Sequence, residues 1–518
     1  MTDPLLVRIE KYLLKINLIE YFEESVQRCP QKTAVIDRDR TITFSELRGK
    51  ALVLASAIGC IKRPAAVFLN KSIESVYADL AIIYSGNFYM NLDVRYPAER
   101  LKNILDLVCP GVIITNNQYL NSIVSVIPPD VQVINLDGMD FTQQVDEFAI
   151  FTNLGKLIDT DPLCIINTSG STGTPKGVVL NHKSFFDFTE WALDTFKFDD
   201  NELMGSLSPL VFDIYSFELC MLMAKSSTLV VIPEHLSAFP ASILKILEEH
   251  KVTFLFWVPT IMVNIANMDL LSSIQLPALK TVWFAGEVFP TKQFNYWRKM
   301  LPQTTFANLY GPIEITLDCT CFIVNREIKD EESIPIGFPC RNTDILILDA
   351  DNKLVTEAGK EGELCVRGTS LAMGYYNNPE KTAFAFVQNP LNHAYPETIY
   401  RTGDVVVINE RGEIVFKGRK DTLIKHMGYR TELGEIEHII INKLKLVKNG
   451  CVVYNFSKKE ITLFYESPEE ITPAEFRKRI GQELPKYMLP TVYHHLDELR
   501  RNTNGKIDRL FYNNHVNG

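Results

Sequence analysis

The sequence predicts an α/β protein with a large N-terminal region of α/β subdomains, a small β unit and a small α+β C-terminal domain. Three observations lead to this prediction. The chain has 518 residues, more than a single hydrophobic core usually serves. Between residues 64 and 307, short apolar runs alternate with longer stretches of helical periodicity. Beyond residue 333 the pattern becomes rich in strands.

The N-terminal region alternates two kinds of segment. Helical periodicity is clearest at 73–84 and 241–249. The strand-like runs are rich in β-branched and aromatic residues, and they lie at 65–69, 111–115, 131–136, 163–167, 228–232, 253–257 and 280–284. Because strands that alternate with helices pair through crossover connections, we expect parallel sheets flanked by helices.

The remainder of the chain is predicted to hold the β unit and the C-terminal domain. Strands at 343–348 and 362–366 are separated by turn residues, and a charged, glycine-bearing segment at 417–421 is the candidate linker. Downstream, 451–454 and 460–465 are predicted to pair as strands, and Thr472, Pro473 and Glu475 predict a capping box at a helix start. We therefore divide the chain into a core domain, residues 1–418, and a C-terminal domain, residues 419–518.

Composition excludes several classes of protein. Hydrophobic residues make up 46% and charged residues 22% of the chain, as in ordinary globular proteins. The formal charge of −10 disfavours nucleic acid as a partner. No apolar run approaches the ~18 residues that span a bilayer, and the N-terminus lacks the apolar core of a signal peptide. The ten scattered cysteines form no metal or disulfide pattern, so a reducing cytoplasm without membrane attachment is expected.

The segment from Asn167 to Gly177 carries the strongest chemical signal. It directly follows a strand-like run and contains three glycines, several hydroxyl residues and Lys176. Glycines let backbone N–H groups approach an anion, and the hydroxyls and lysine can contact phosphate oxygens. Because Pro175 precedes the lysine and Gly177 follows it, the segment is not a Walker A motif. A flexible polar surface loop is the alternative, but the preceding strand and the lysine favour a phosphate-binding loop.

This loop resembles the signature of the adenylate-forming superfamily, which includes acyl-CoA synthetases, firefly luciferase and the adenylation domains of nonribosomal peptide synthetases. Seven further motifs of that family are matched in the same order across nearly the whole chain. They are TFSEL at 43–47, NLDVRYPAER at 91–100, YGPIE at 310–314, GELCVRG at 362–368, YRTGD at 400–404, GRKD at 418–421 with GYRTE at 428–432, and NGK at 504–506.

The resemblance implies an ATP site that works with Mg²⁺. Glu314 corresponds to the carboxylate that holds the metal against the phosphates, a hard oxygen ligand that suits this ion. Tyr310 would stack on adenine, Asn308 would bind its edge, and Asp404 would accept from both ribose hydroxyls. The full set implied to bind ATP is Thr168, Ser169, Gly170, Ser171, Thr172, Gly173, Lys176, Asn308, Tyr310, Asp404 and Arg419.

Two C-terminal residues carry the implied chemistry. Lys506 would swing in with a mobile C-terminal domain and bridge the substrate carboxylate and the α-phosphate, so that it joins Glu314 and Lys176 as a catalytic residue. Asp421 would be the hinge about which that domain turns between adenylation and thiol transfer. Because only twelve residues follow Lys506, the acceptor thiol is expected on the phosphopantetheine arm of a separate carrier protein.

The resemblance also implies a small amino acid as substrate. Asp213 resembles the aspartate that holds the substrate's α-ammonium in amino-acid-activating members. Large side chains leave limited volume, and the pocket most resembles that of free-standing prolyl-activating enzymes. The predicted lining is Asp213, Ile214, Phe217, Phe256, Trp283, Ala285, Leu309, Leu317, Asp318 and Lys506. Asp318 departs from the prolyl pattern and could indicate a substrate with a second amine.

Three alternatives stay open at this point. D- or L-alanine is the next candidate substrate, since 284–288 also resembles D-alanine activators. An acyl-CoA ligase on the same scaffold is the second alternative, although Asp213 favours an amino acid. A non-enzymatic adenylate sensor is the third, and the presence of Lys506, Glu314 and Asp404 speaks against it.

Overall fold

The α/β class predicted from the sequence is confirmed by a computed structural model, which describes residues 15–59, 61–168, 175–420, 423–501 and 507–518. Within these ranges no helix is both long and apolar enough to span a bilayer. The strands of the larger part of the chain are β1 Thr33–Asp37, β2 Arg40–Thr43, β3 Pro64–Val67, β4 Phe88–Asn91, β5 Val112–Thr115, β6 Gln132–Asn135, β7 Pro162–Thr168, β8 Lys176–Asn181, β9 Leu203–Ser206, β10 Thr228–Val231, β11 Phe254–Trp257, β12 Thr281–Ala285, β13 Thr305–Tyr310, β14 Thr320–Ile323, β15 Phe338–Pro339, β16 Thr343–Leu348, β17 Glu361–Gly368, β18 Gly374–Tyr375, β19 Phe386–Gln388, β20 Thr398–Ile408 and β21 Ile414–Arg419.

The strands of the C-terminal part are β22 Leu423–His426, β23 Tyr429–Glu432, β24 Asn449–Asn455, β25 Glu460–Glu466 and β26 Val492–His495. The α-helices of the described ranges are α1 Ile19–Arg28, α2 Phe44–Ser56, α3 Ile73–Tyr84, α4 Ala98–Val108, α5 Asn117–Ile123, α6 Glu147–Leu154, α7 His182–Phe196, α8 Asp213–Lys225, α9 Pro240–Glu249, α10 Pro259–Asn267, α11 Thr291–Met300, α12 Pro379–Ala385, α13 Leu433–Glu437, α14 Pro473–Ile480 and α15 Arg509–Asn517.

Two mostly parallel sheets form the N-terminal region. In the described residues one has the order β15-β14-β13-β12-β11-β9-β10-β1-β2 and the other the order β18-β8-β7-β4-β3-β5-β6. The largest buried cluster takes side chains from both sheets and from α2, α3, α7 and α8, so the two sheets share one core. A second cluster packs α9, α10 and α11 on the nine-stranded sheet.

Local sequence explains where these helices begin. Thr43 and Glu46 form a reciprocal capping box at the start of α2, in the segment quoted above as a family motif. Ser72 and Ser75 do the same at α3. That helix is buried on nearly every side because it is made almost entirely of apolar residues. The predicted span 73–84 is therefore confirmed residue for residue.

The β unit and the C-terminal part follow the core. The β unit has the order β16-β17-β20-β19, with β21 added to β20, and all of these pairings are antiparallel. The C-terminal part contains the hairpin β22–β23 and a sheet of β24, β25 and β26 with a buried cluster of its own. The division at 418/419 stays a prediction, and strand β21 ends at Arg419.

The cap of α14 differs in part from its prediction. Pro473 is the first helical residue, and the Thr472 side chain accepts from the Glu475 N–H at 3.3 Å, as expected. The Glu475 carboxylate lies 3.8 Å from the Arg479 guanidinium instead of turning back to the backbone of Thr472. An exposed glutamate at this position can pair either with the backbone N–H of Thr472 or with Arg479, and the spacing in the sequence is compatible with both.

The hairpin β22–β23 packs against the core domain. His426 pairs with Tyr429 across a two-residue turn, and both turn residues, Met427 and Gly428, have positive φ. The Gly428 N–H donates to Glu287 of the core at 2.8 Å. A Cβ at Gly428, where φ is 84°, would lie 3.2–3.3 Å from side-chain atoms of Val258 and Phe212. Glycine is therefore required here for both conformation and close approach.

Alanine at Gly428 is expected to loosen this contact. The left-handed conformation alone disfavours alanine by about 1–2 kcal/mol, and the methyl group would also press on the core. Gly412→Ala is a matched control, because Gly412 has a φ of 75° but nothing within 4 Å of its Cβ position. We expect a lower midpoint of thermal unfolding for Gly428→Ala than for the control. Equal midpoints would contradict packing of the hairpin on the core.

Candidate active site

The predicted site residues gather at the carboxyl ends of parallel strands. Strands β9, β11, β12 and β13 are parallel neighbours. The loop after β9 leads to Asp213, the first residue of α8, while Ala285 ends β12 and Tyr310 ends β13. This edge is where ligands bind in α/β sheets, because loops and helix N-termini meet there.

The stem of the predicted phosphate loop has buried polar atoms without partners. Strands β7 and β8 pair in antiparallel fashion, with Thr168 opposite Lys176 at the end of the hairpin. The Asn167 amide and the Thr168 hydroxyl are buried and have no hydrogen-bond partner among the described residues. Unsatisfied buried groups are unfavourable unless a ligand or water completes them. This stem therefore fits a polar ligand such as a phosphate.

Lys176 reaches across to the C-terminal hairpin. Its Nζ lies 2.8 Å from the Glu432 carboxylate of β23 and 5.7 Å from the centre of the Tyr375 ring. Both partners of the ion pair are largely buried. In this arrangement Glu432 neutralises Lys176, the lysine that is predicted to bind phosphate.

Glu314 lies at the centre of the site, fully buried on the 3₁₀ turn Ile313–Ile315. It accepts from the Tyr375 hydroxyl at 2.8 Å and from the Arg430 guanidinium at 2.5 Å. Burial alone would raise the pKa of this carboxyl, but the Arg430 charge and the two hydrogen bonds outweigh it and hold the pKa below its ordinary value. Glu314 is therefore ionised, and its charge is balanced by Arg430.

The predicted ribose site is a closed network. Asp404 of β20 lies opposite Arg419 of β21, and its carboxylate accepts from the Arg419 guanidinium and the Tyr310 hydroxyl. Burial raises the pKa of Asp404, and the Arg419 charge opposes that shift. Asn308 donates to the carbonyl oxygen of Pro335 at 2.8 Å. Asp404, Arg419 and Tyr310 are thus joined by hydrogen bonds, and Asn308 lies two residues before Tyr310 on β13. Their assignment to ribose and adenine stays a prediction.

The predicted amino-acid pocket is assembled from neighbouring strands. Phe256 pairs in register with Trp283, and Ala285 pairs with Leu309. The Phe217 ring of α8 stacks on Trp283 at 5.1 Å between ring centres, and the Phe256 ring lies 5.4 Å from Trp283. These three rings are buried and pack on each other, so the predicted pocket would be small. The remaining apolar lining residues, Ile214 and Leu317, are also buried.

Two aspartates and a lysine meet in this pocket. The Asp213 carboxylate accepts from the Ile214 N–H at 3.0 Å, and burial raises the pKa of Asp213 to about 6. Asp318 is 4% exposed, and burial together with the Asp213 charge raises the pKa of its carboxyl. The Lys425 ammonium opposes the shift at both aspartates, while burial lowers its own pKa. Lys425 belongs to β22 and therefore enters the pocket from the C-terminal part.

Several predicted residues fall outside the described ranges. They include the predicted catalytic residue Lys506, the predicted hinge residue Asp421 and most of the phosphate loop. The loop residues concerned are Ser169, Gly170, Ser171, Thr172 and Gly173. Their assignments stay predictions.

Sequence reasoning missed four residues of the site. Arg430 and Glu432 lie within the quoted motif 428–432 but were given no role, and Lys425 lies three residues before that motif. Tyr375 was not singled out at all. The charged residues of the motif were the available signal, because charges in a glycine-bearing turn need partners. Nothing in the sequence signalled Tyr375.

The residues present fit Mg²⁺ held mainly by phosphates. Among the described side chains, no three His, Cys, Asp or Glu residues are grouped so as to hold a metal ion. Mg²⁺ commonly uses one or two carboxylates, with water and substrate phosphates as its other ligands. Glu314 could supply that carboxylate, and the buried, unpartnered hydroxyl of Thr316 lies two residues away. Arg430 pairs with that carboxylate and would compete with a metal for it.

The fold and this site define an adenylate-forming enzyme, and comparison with known proteins assigns the family. Residues 22–376 match the family model described as AMP-binding enzyme. The chain belongs to this family.

Similar proteins include two bacterial synthases. The chain is 30% identical to zwittermicin A synthase ZmaJ from Bacillus cereus, covering 94% of this chain and 93% of that protein. It is 30% identical to gramicidin S synthase 2 from Brevibacillus brevis over 95% of this chain, but it spans only 11% of that protein.

Two solved structures share the fold. The Vibrio cholerae adenylation domain AlmE, in complex with glycyl-adenosine-5'-phosphate, has a TM-score of 0.83 at 21% identity, covering 96% of this chain and 97% of that one. Holo-PA1221, a nonribosomal peptide synthetase protein containing adenylation and PCP domains, has a TM-score of 0.80 at 20% identity, covering 96% and 84%.

Proposed function

We propose that the protein uses ATP and Mg²⁺ to convert a small amino acid into an aminoacyl-adenylate and passes the acyl group to the phosphopantetheine thiol of a separate carrier protein. One observation carries the proposal. Glu314 links the parts of the site: its carboxylate accepts from the Tyr375 hydroxyl, the Tyr375 ring lies 5.7 Å from Lys176 at the stem of the phosphate loop, and the Glu314 charge acts on Asp213. An amino acid and a triphosphate placed there would meet.

In the first half-reaction the substrate carboxylate oxygen attacks the α-phosphorus. A bond forms between that oxygen and phosphorus, and the bond from phosphorus to the pyrophosphate oxygen breaks. Asp213 would hold the α-ammonium and thereby aim the carboxylate, while Lys176 and the loop hydroxyls would bind the phosphates. Mg²⁺ bound by Glu314 would neutralise phosphate charge. Lys506 would stabilise the charge that develops between carboxylate and phosphate.

The described arrangement suits the second half-reaction. Three charged residues of the hairpin contact groups that the first half-reaction needs. Arg430 pairs with Glu314, Glu432 pairs with Lys176, and Lys425 interacts electrostatically with the aspartates of the pocket. The hairpin must therefore withdraw for adenylation and return for transfer. In the transfer step the carrier thiol attacks the acyl carbonyl, a thioester forms and AMP leaves. The adenylation and PCP domains of holo-PA1221 support a carrier protein as acceptor.

The pocket limits the substrate to a small amino acid. L-proline is the first candidate from the resemblance, followed by D- or L-alanine, and the packed rings of Phe217, Phe256 and Trp283 suit their size. Asp213 favours an amino acid over a fatty or aryl acid, because a buried carboxylate needs a cationic partner.

A pyrophosphate-exchange assay over all proteinogenic amino acids, D-alanine, diamino acids and fatty and aryl acids tests the proposal. We expect exchange with small amino acids, and Asp213→Ala is expected to lower kcat/KM for the best of them at least about 100-fold while the KM for ATP changes little. The KM for ATP serves as the internal control for folding. Exchange with fatty or aryl acids alone would assign the protein to acyl-CoA ligation instead.

A further inference from the structure

Two buried charges lie outside the residues assigned to the reaction. Lys71 follows β3 of the seven-stranded sheet, and Glu218 lies on α8. Both side chains are 2% exposed, and their charged groups are 4.0 Å apart. A buried ion pair is often no more stable than apolar residues of the same volume. Stability is therefore a weak reason for this pair, and its surroundings indicate a role in positioning.

Lys71 connects the two sides of the segment that presents Asp213. Its Nζ donates to the Ser206 hydroxyl at 3.0 Å and to the Ser208 carbonyl oxygen, which both precede Asp213 in the chain. The Ser206 hydroxyl in turn donates to the carboxylate of Glu218, which follows Asp213 on α8. A lysine from the other sheet thus ties the end of β9 and the loop after it to the helix that this loop leads into.

Electrostatic interaction strengthens this connection. Burial raises the pKa of Glu218 to about 7, and the Lys71 charge opposes that shift. Burial lowers the pKa of Lys71, and the Glu218 charge opposes that shift in return. Each group therefore favours the charged form of the other, and removal of either would leave a buried charge without its partner.

Two further buried contacts hold the first turns of α8. The Tyr215 hydroxyl donates to the Asp79 carboxylate of α3 at 2.8 Å, and the Tyr89 hydroxyl of β4 donates to Ser216 at 2.9 Å. Strand β4 pairs with β7, which carries the stem of the phosphate loop. Polar contacts therefore fix the start of α8 relative to the sheet that carries this stem.

We infer that Lys71 and Glu218 are positioning residues, which set the place of Asp213 relative to the phosphate-loop stem and thereby the orientation of the amino acid toward ATP. The Asp213 carboxylate accepts from the Ile214 N–H, so it follows the first turn of α8 wherever that turn lies. A misplacement of about 1 Å at a reacting group can lower a rate about 100-fold. The inference rests on the proposed function, since it takes Asp213 as the group that holds the α-ammonium.

A ratio between two substrates tests the inference. The amino acid with the strongest pyrophosphate exchange is compared with the same acid lacking the α-amino group, such as L-proline with cyclopentanecarboxylate or L-alanine with propionate. The ratio of their kcat/KM values measures how well Asp213 meets the ammonium. We expect it to be at least about 100 in the native protein, because a site built for a polar group rejects analogues without it.

Methionine at Lys71 is expected to lower this ratio at least about tenfold, because Asp213 is no longer held in line with the ammonium. The change should lie chiefly in the KM for the amino acid, while the KM for ATP stays within about twofold. Because the readout is a ratio between substrates, partial misfolding does not mimic it.

Two further variants separate position from stability. Lys71→Met combined with Glu218→Gln removes both buried charges, so stability in urea unfolding is expected to return. The ratio is expected to stay low, because the donor to Ser206 and Ser208 is still absent. Met223→Ala is the matched control, since Met223 is fully buried near the other end of α8 and its loss lowers stability at a distance from Asp213. It is expected to leave the ratio within about twofold.

The outcomes distinguish the inference from the function. An unchanged ratio in Lys71→Met and in the double variant, or an equal fall in Met223→Ala, would show that the buried pair does not position Asp213, while amino-acid activation stands. If Lys71→Met does not fold, the double variant carries the same test. A native protein that takes the analogue as readily as the amino acid would remove the role of Asp213 and the inference with it.

Discussion

Alanine at Lys506 is expected to reduce pyrophosphate exchange about 100- to 1000-fold while ATP still binds. The lysine is assigned to the charge that develops between the attacking carboxylate and the α-phosphate, and loss of one such group removes about 3–4 kcal/mol of transition-state stabilisation. Exchange assays measure the first half-reaction, and calorimetry measures ATP binding. Transfer from preformed aminoacyl-adenylate to the carrier is expected to survive, since it uses the other arrangement of the C-terminal part.

The matched control is Lys478→Ala. Lys478 is an exposed residue of α14 in the same C-terminal part. The variant therefore replaces a lysine with alanine on the surface of that part, away from the residues assigned to the nucleotide. It is expected to leave exchange within about twofold. Near-normal exchange in Lys506→Ala would rule out the role assigned to that lysine.

Glutamine at Glu314 is the second change with a large expected effect. It keeps the shape and the Tyr375 contact but removes the charge, so exchange is expected to fall at least about 100-fold and the half-saturating Mg²⁺ concentration to rise. Arg430 also loses its buried counter-charge, which lowers the free energy of unfolding by about 3 kcal/mol. Titration of exchange with Mg²⁺ and urea unfolding measure the two effects.

A double variant separates these effects. Arg430→Met added to Glu314→Gln removes the uncompensated charge and is expected to restore stability but not exchange. If exchange also returned, Glu314 would matter only as the partner of Arg430 and not as a ligand of Mg²⁺.

Tyr375→Phe, which leaves the carboxylate charged, is expected to lower exchange less than about tenfold.

Much of the fold follows from local sequence. The helix Ile73–Tyr84 coincides with the predicted helical stretch, and every strand-like run predicted in the N-terminal region overlaps an observed strand. These segments were predictable because short-range periodicity decides which face is buried. The order of strands in the two sheets was not predictable, because it depends on long-range packing in a core that both sheets share.

The site was predictable only in part. Glu314, Asp404 and the pocket residues were proposed from motifs, and their roles stay predictions. The partners supplied by the hairpin could not be found in this way, since Arg430 reaches Glu314 across 116 positions of the chain. Such contacts depend on the orientation of the C-terminal part, which local residue patterns do not encode.

The hairpin's occupation of the site has a consequence for affinity. Because Arg430 and Glu432 already satisfy Glu314 and Lys176, an incoming triphosphate competes with the chain's own charges. Under the proposed function, the observed dissociation constant for ATP would be the intrinsic constant divided by the fraction of molecules whose hairpin is withdrawn. The same competition would favour release of pyrophosphate, because the returning hairpin takes back Glu314 and Lys176 before the transfer step.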